Sequence, residues 1–223
     1  MLSRDQLAAR IDHTLLRPDA TPSEIDTLCR DACDNGIYAV CVPPRYVSRA
    51  RDTLAGLDAG PRICTVIGFP SGAHHPAVKA FEAAQAVRDG ADELDMVIAL
   101  GPLRDRDDAS VLSDIQGVVE AADGRVVKVI LEVSLLTPQA IKRACKLAVK
   151  GGARFVKTST GFSGGATVED VALMREIVGP EFGVKASGGI RTAAEAAAMI
   201  EAGANRIGAS RSIAILHAWG PHS

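Results

Sequence analysis

The sequence predicts an α/β protein, a closed (β/α)8 barrel (TIM barrel). Two observations lead there: strand-like and helix-like segments alternate along the whole chain, and a glycine-containing junction recurs at about every second unit. Short apolar, β-branched runs read as strands at 10–14, 37–42, 62–68, 93–98, 126–133, 154–158, 184–187 and 206–209, the first being the weakest. Segments suited to helices separate them. Gly36-Ile37-Tyr38, Gly90-Ala91-Asp92, Gly152-Ala153-Arg154 and Gly203-Ala204-Asn205 each join a helix pattern to a strand pattern. Glycine there supplies the left-handed turn that ends a helix. Eight units of roughly 28 residues exhaust the 223-residue chain, which favours a closed barrel over an open doubly wound sheet. One domain over residues 1–223 is expected, with no linker or low-complexity segment.

Helix starts follow in order. Ser3-Arg4-Asp5-Gln6 opens a short first helix. Thr21-Pro22-Ser23-Glu24 has an N-cap, a proline at the first helical position and a glutamate at the third, which is a capping box. Thr137-Pro138, Thr167-Val168-Glu169-Asp170 and Thr192-Ala193-Ala194-Glu195 open three more.

Composition narrows the function. Aromatic residues are only 4%, which disfavours base stacking, and 25 basic against 27 acidic residues give no pull toward nucleic acid or an anionic membrane. No run reaches the length of a membrane span. Met1-Leu2-Ser3-Arg4-Asp5 lacks the apolar stretch of a signal peptide. The cysteines (Cys29, Cys33, Cys41, Cys64, Cys145) are odd in number and sit mostly in apolar runs, so they read as small hydrophobes in a reducing compartment. A cytoplasmic protein is expected.

In a barrel, chemistry sits at the C-terminal ends of the strands. The polar residues placed there are Asp12, Cys41, Asp95, Lys128 with Glu132, Lys157 and Lys185. Lys157 lies in Phe155-Val156-Lys157-Thr158-Ser159-Thr160-Gly161. A desolvated lysine gives up its proton more readily and becomes a nucleophile toward a carbonyl. The competing reading is an interior ion pair with Glu132 or Asp95. Lys185, on the next strand, reads as the cationic neighbour of a Schiff-base lysine or as a binder of a substrate anion, and the two readings are compatible. Asp95 is a proton shuttle or a lysine counter-ion, with Glu93 on the same strand parity as a competitor. Asp12 is a site residue or a surface aspartate.

Two loops suggest an anion site. Ser187-Gly188-Gly189-Ile190-Arg191-Thr192 leads into a helix, and Gly208-Ala209-Ser210-Arg211-Ser212 follows the last strand. Small residues let backbone N–H groups approach a phosphate, and loops after strands seven and eight are where this fold holds one. Thr160-Gly161 and Ser163-Gly164-Gly165 are placed to close the same site. No Walker A, dinucleotide fingerprint, His-Glu-x-x-His or Cys-x-x-Cys occurs. Cys29 and Cys33 share a helix face without a third ligand and read as packing. His74-His75 reads equally as a solvated loop and helix start or as a pair of metal ligands. A metal-independent site is expected.

These residues carry a family resemblance. Ile11-Asp12-His13-Thr14-Leu15-Leu16, Val40-Cys41-Val42, Val66-Ile67-Gly68-Phe69-Pro70, Gly90 to Ile98, Phe155 to Gly161, Val184 to Arg191 and Arg206 to Ser210 occur in an order that resembles deoxyribose-phosphate aldolases. The resemblance implies a metal- and cofactor-free class I aldolase that cleaves 2-deoxy-D-ribose 5-phosphate to glyceraldehyde 3-phosphate and acetaldehyde, and a homodimer. It implies Lys157 as the Schiff-base lysine, Lys185 as its cationic neighbour and Asp95 as the proton-transfer carboxylate. Asp12 would lie near the substrate hydroxyls, and Thr160, Gly161, Gly188, Gly189, Gly208 and Ser210 around the rest of the substrate and its phosphate. Three departures stand out. Phe162 occupies a position where some members carry lysine, the loop from Phe162 to Thr167 is one residue short, and the tail from His217 to Ser223 has no tyrosine. Without the resemblance, another Schiff-base aldolase or transaldolase, or a non-catalytic sugar-phosphate-binding barrel, fits the same residues.

Overall fold

The computed structural model describes residues 2–57 and 60–220. Eight parallel strands close into a barrel in chain order. They are β1 (Ile11–Thr14), β2 (Ala39–Val42), β3 (Arg62–Ile67), β4 (Glu93–Val97), β5 (Val126–Ile130), β6 (Phe155–Lys157), β7 (Gly183–Ser187) and β8 (Arg206–Ala209). The helices are α1 (Arg4–Ala8), α2 (Pro22–Asp34), α3 (Val47–Leu54), α4 (Pro76–Asp89), α5 (Leu100–Arg104), α6 (Asp108–Ala121), α7 (Pro138–Lys150), α8 (Val168–Val178), α9 (Ala193–Glu201) and α10 (Ser212–His217). Helix α1 precedes the first strand, and α5 and α6 share the β4–β5 connection. Strand β1 closes the barrel by pairing with both neighbours, so that Asp12 stands opposite Ala39 and Gly208. This is the (β/α)8 barrel that the alternation of segments predicts. The last three residues of the tail, Pro221 to Ser223, lie outside the described residues.

Local chemistry sets the ends of the elements. Thr167 accepts from the Asp170 N–H at 3.1 Å. Glu24 accepts from the Thr21 N–H at 2.9 Å, and Glu195 does the same for Thr192. The four junction glycines, Gly36, Gly90, Gly152 and Gly203, all take φ between +62° and +113°, which a β-carbon opposes. Several strands are shorter than their apolar runs suggest, the fifth by most. The run at 126–133 leaves the ladder after Ile130, because Glu132 turns to φ +56° and Val133–Leu135 forms a 3-10 turn. That turn aims the Glu132 carboxylate at Thr160, whose N–H it accepts at 3.2 Å. His75 caps α4 through its ring, accepting from the Ala77 N–H, so the His74-His75 pair serves a helix start.

The two faces of the barrel wall differ sharply. Outward residues such as Val40, Leu94, Met96, Val127 and Val184 pack beneath the helices in one apolar core. Cys29 and Cys145 belong to it, and burial pushes both thiols up to about 12. Inward residues are Asp12, Glu93, Asp95, Lys128, Lys157 and Lys185, all buried. An interior layer of this fold is normally filled by branched aliphatic side chains. Here it is ionic, and small residues make room for the long cations. A β-carbon on Gly208 would meet the Lys185 Cε at 3.0 Å and the Ser187 Oγ at 2.3 Å. Among the described residues no helix is long and apolar enough to cross a membrane.

A second buried ion pair anchors the wall from outside. Lys79 of α4 is fully buried and donates to the Val97 carbonyl at 2.9 Å and to Asp114 of α6 at 2.6 Å. Val97 ends the strand that carries Asp95. Gly68 lies beneath the lysine stem, where a β-carbon would stand 2.8 Å from Cε. Removing one partner strands the other charge, which costs far more than the pair contributes. Lys79→Met is expected to lower unfolding free energy by about 3–5 kcal/mol in urea titration, and Lys79→Met with Asp114→Leu to recover most of it.

Candidate active site

Asp95 is the centre of the ionic layer. Its Oδ2 accepts from Lys157 Nζ at 2.9 Å and from Lys185 Nζ at 2.7 Å, while its Oδ1 accepts from Lys128 Nζ at 2.8 Å. The register produces this convergence. Lys128 faces Asp95 across β4–β5, and Lys157 faces Lys185 across β6–β7. The lysines have further partners. Lys185 also donates to Asp12, and Lys128 lies 2.6 Å from Glu93. Arg206 donates to Asp12 at 2.9 Å and to Glu93 at 3.2 Å, with its guanidinium 3.7 Å from the Tyr38 ring centroid. The Tyr38 hydroxyl donates to Glu93 at 3.0 Å.

Four cations therefore face three carboxylates: Lys128, Lys157, Lys185 and Arg206 against Asp12, Glu93 and Asp95. Lys157 has a single carboxylate partner, and of the three lysines only Lys157 lines the open cavity above the layer. Burial alone would raise Asp12 and Asp95. The ammonium groups outweigh it, holding Asp12 at about 2 and Asp95 well below the usual carboxylate range. Burial would likewise lower Lys185 and Lys128, but Asp12 and Asp95 hold Lys185, and Asp95 with further anions holds Lys128, above the ordinary lysine value. Two cysteines join the layer. The Cys64 thiol donates to Asp95 Oδ1 at 3.2 Å, and Cys41 stands beside it in register. Cys41, Cys64 and Asp95, and likewise Asp12, Cys64 and Glu93, come close enough to hold a cation. Ammonium groups already occupy those carboxylate oxygens, so this donor set is matched to lysine.

The cavity above has a volume of about 350 Å³. Its floor is Lys157, and its walls include Thr160, Gly161, Gly188, Gly189, Gly208 and Ser210. These six residues therefore meet around one lysine, whereas Ser163-Gly164-Gly165, expected to close the same site, does not line the cavity and instead backs the β7 loop through Gly165. Gly188 and Gly189 take φ +91° and +80°. The β6 loop packs backbone to backbone on the β7 loop: the Ala166 N–H donates to the Gly188 carbonyl at 2.9 Å, and a β-carbon on Gly165 would stand 2.8 Å from that oxygen. Thr160 is fixed by Glu132, so Glu132 positions the cavity wall and is not the partner of Lys157. Phe162 packs edge-on to Phe69 at 5.3 Å on the apolar side.

Other expectations change in detail. Asp12 is fully buried in the ionic layer and not on the surface, and it lies below the cavity instead of in its wall. Lys185 lies there too, bound to two carboxylates, which leaves it no free face for a substrate anion. The N-terminus of α9 is occupied by its own Glu195, which accepts from the Arg191 N–H at 2.7 Å and from Thr192. The glycine loops, not that helix end, line the cavity. Ser187 and Arg191, which flank Gly188-Gly189 in the loop read as an anion site, line the cavity without having been given a role of their own, and Arg17 lines it without any signal in the sequence.

Above about pH 5, the stability that Asp12 and Asp95 contribute is fully present, because their unfolded values lie near 3.9. It is lost as pH falls through their lower folded values. The raised lysines contribute below about pH 10 and lose stability only above it. Urea titrations should therefore give a plateau between these limits. The gap between wild type and Asp12→Asn should shrink by about 2 kcal/mol on acidification, as Asp12 titrates between 3.8 and about 2.

Comparison with known proteins gives a consistent outcome. The family model described as DeoC/LacD family aldolase matches residues 7–218. Deoxyribose-phosphate aldolase 1 of Bacillus licheniformis is 56% identical over 95% of this chain and 95% of its own. Deoxyribose-phosphate aldolase 1 of Cutibacterium acnes is 58% identical over 94% and 96%. Among solved structures, the tetrameric deoxyribose phosphate aldolase of Aeropyrum pernix superposes with a TM-score of 0.90 at 36% identity, covering 96% of this chain and 91% of that one.

Proposed function

The chain belongs to the DeoC/LacD aldolase family, and from that membership we infer that it is a class I aldolase acting on 2-deoxy-D-ribose 5-phosphate. It cleaves the sugar phosphate reversibly to D-glyceraldehyde 3-phosphate and acetaldehyde. The observation that carries this reading is the single cavity-facing lysine, Lys157, between a shared carboxylate and the glycine loops.

The chemistry follows from the charge balance. Loss of one proton from Lys157 leaves three cations against three carboxylates, and the neutral amine attacks the C1 aldehyde. Loss of water from the adduct gives an iminium, which accepts the electron pair of the C2–C3 bond as that bond breaks. The C3 hydroxyl releases its proton and becomes the aldehyde of glyceraldehyde 3-phosphate. The remaining enamine is protonated at C2, and water frees acetaldehyde and Lys157. In this reading Asp95 stays ionised and orders the water that carries these protons, and Lys185 keeps the layer in charge balance. Asp12 acts through Lys185 and Arg206, which it holds in place. Thr160, Gly161, Gly188, Gly189, Gly208 and Ser210 hold the far end of the sugar, so that phosphate binding positions the reacting carbons.

Borohydride with acetaldehyde should reduce the iminium to a stable adduct on Lys157, located by peptide mass spectrometry. Lys157→Ala should give no adduct and lose cleavage by at least about four orders of magnitude, while its thermal unfolding stays cooperative. Cleavage that survives this substitution would remove the assignment. Adduct formation without release of glyceraldehyde 3-phosphate would point to a different sugar phosphate. Turnover unchanged by a chelator is also expected. The same reading makes the protein a cytoplasmic homodimer, so sedimentation should give twice the 23.3 kDa chain mass.

A further inference from the structure

Ser187 ends β7, two residues beyond Lys185 and directly before Gly188-Gly189. Strand alternation points it inward, on the same face as Lys185. It is 6% exposed and lines the cavity above Lys157. Its backbone is clamped from both sides by one buried hydroxyl: Thr158 Oγ1 donates to the Ser187 carbonyl at 2.9 Å and accepts from its N–H at 3.0 Å. The Ser187 hydroxyl itself has no protein partner among the described residues. It leans over β8 into the space that Gly208 leaves open, where a β-carbon would stand 2.3 Å from it.

A buried hydroxyl without a partner costs stability, yet here the surroundings hold it rigidly. The ionic layer satisfies its own charges, and the glycine loops are built for the phosphate end. Ser187 lies between the two. An open-chain sugar phosphate with C1 on Lys157 and its phosphate over Gly188-Gly189 passes two hydroxyls through that interval. The C3 hydroxyl must face the ionic layer, because it gives up its proton there. The C4 hydroxyl, next to the phosphate-bearing carbon, falls at the level of Ser187. We propose that Ser187 binds the C4 hydroxyl and makes the site selective for acceptor aldehydes that carry a hydroxyl beside the carbonyl. The proposal rests on the aldolase reading above and adds a residue that determines specificity.

The test runs the reaction in the condensing direction, with acetaldehyde as donor and two acceptors of equal charge. D-Glyceraldehyde 3-phosphate carries the hydroxyl that becomes C4–OH; 3-oxopropyl phosphate lacks it. Ser187→Ala should lower kcat/KM for glyceraldehyde 3-phosphate roughly three- to ten-fold and leave 3-oxopropyl phosphate within about two-fold. Its thermal midpoint should equal or exceed that of wild type, because the substitution deletes a buried hydroxyl that bonds to no protein group. An equal loss on both acceptors, no loss on either, or a lowered midpoint would overturn the proposal. Wild-type condensation of the two acceptors checks the aldolase reading separately, since only the ratio between variants reports on Ser187.

Discussion

Asp95 is shared by three ammonium groups inside a closed barrel, and the architecture around it can be understood as what that sharing requires. Burying ions is costly, and the cost is met only where every charge has close, well-aligned partners. Seven ionised side chains from six of the eight strands meet these conditions together: Asp12 on β1, Glu93 and Asp95 on β4, Lys128 on β5, Lys157 on β6, Lys185 on β7 and Arg206 on β8. An open sheet would present them in a row to solvent. Closure bends the row into a ring, so that lysines from three consecutive strands reach one carboxylate. The excess of one cation gives the ring its chemistry, because the lysine with the fewest anionic partners is also the one that faces the cavity.

Space is the second constraint. Three lysines and an arginine cannot share one layer of a small barrel unless neighbouring positions are nearly empty. Ala39 and Gly208 flank Asp12 in the register, and Gly183 leaves room for the Phe155 ring, whose atoms would lie 2.2 Å from a β-carbon there. The outer wall compensates. Its aliphatic residues form one core with the helices, and the Lys79–Asp114 pair fixes the end of the strand that carries Asp95. Stability thus comes from the space between strands and helices, while the interior is given over to charge.

Much of the fold was legible because its signals are local. Capping residues, junction glycines and alternating apolar runs act within a few positions, so Thr21, Thr192 and Gly90 announce their elements directly. The site was legible only in part. Lys157, Lys185 and the glycine loops stand out because a charge in an apolar strand, or paired glycines before a helix, is locally odd. What the strand pattern cannot show is which charges meet across the barrel. Lys157 could pair with Glu132 or with Asp95 until closure decided for Asp95, and Glu132 left the strand to hold Thr160. Arg206 and Cys64 gave no local sign of their place in the layer, and Lys128, noted as a strand-end charge, gave none of its link to Asp95. Asp12 near the N-terminus looked equally like a surface residue, because only pairing with β8 buries it.

The same geometry explains how so short a chain shelters a reactive amine. Iminium chemistry needs control over water, which enzymes often achieve with a closing loop. Here Lys157 is 3% exposed with the cavity open, because it lies at the bottom of a well walled by the loops after β1, β6, β7 and β8. Depth does what a lid would otherwise do. The rim carries charge of its own, because Arg17 and Arg191 line it beside the glycine loops. Among the described residues Asp95 and Asp12 pair only with cations of the ionic layer, while Arg17 pairs with Asp19 and Glu24. The charges at the rim and the balance of four cations against three carboxylates below it are thus separate sets. The chain as a whole is nearly neutral, 25 basic against 27 acidic residues, so the excess of positive charge is local: four cations against three carboxylates in the floor, and two arginines at the rim.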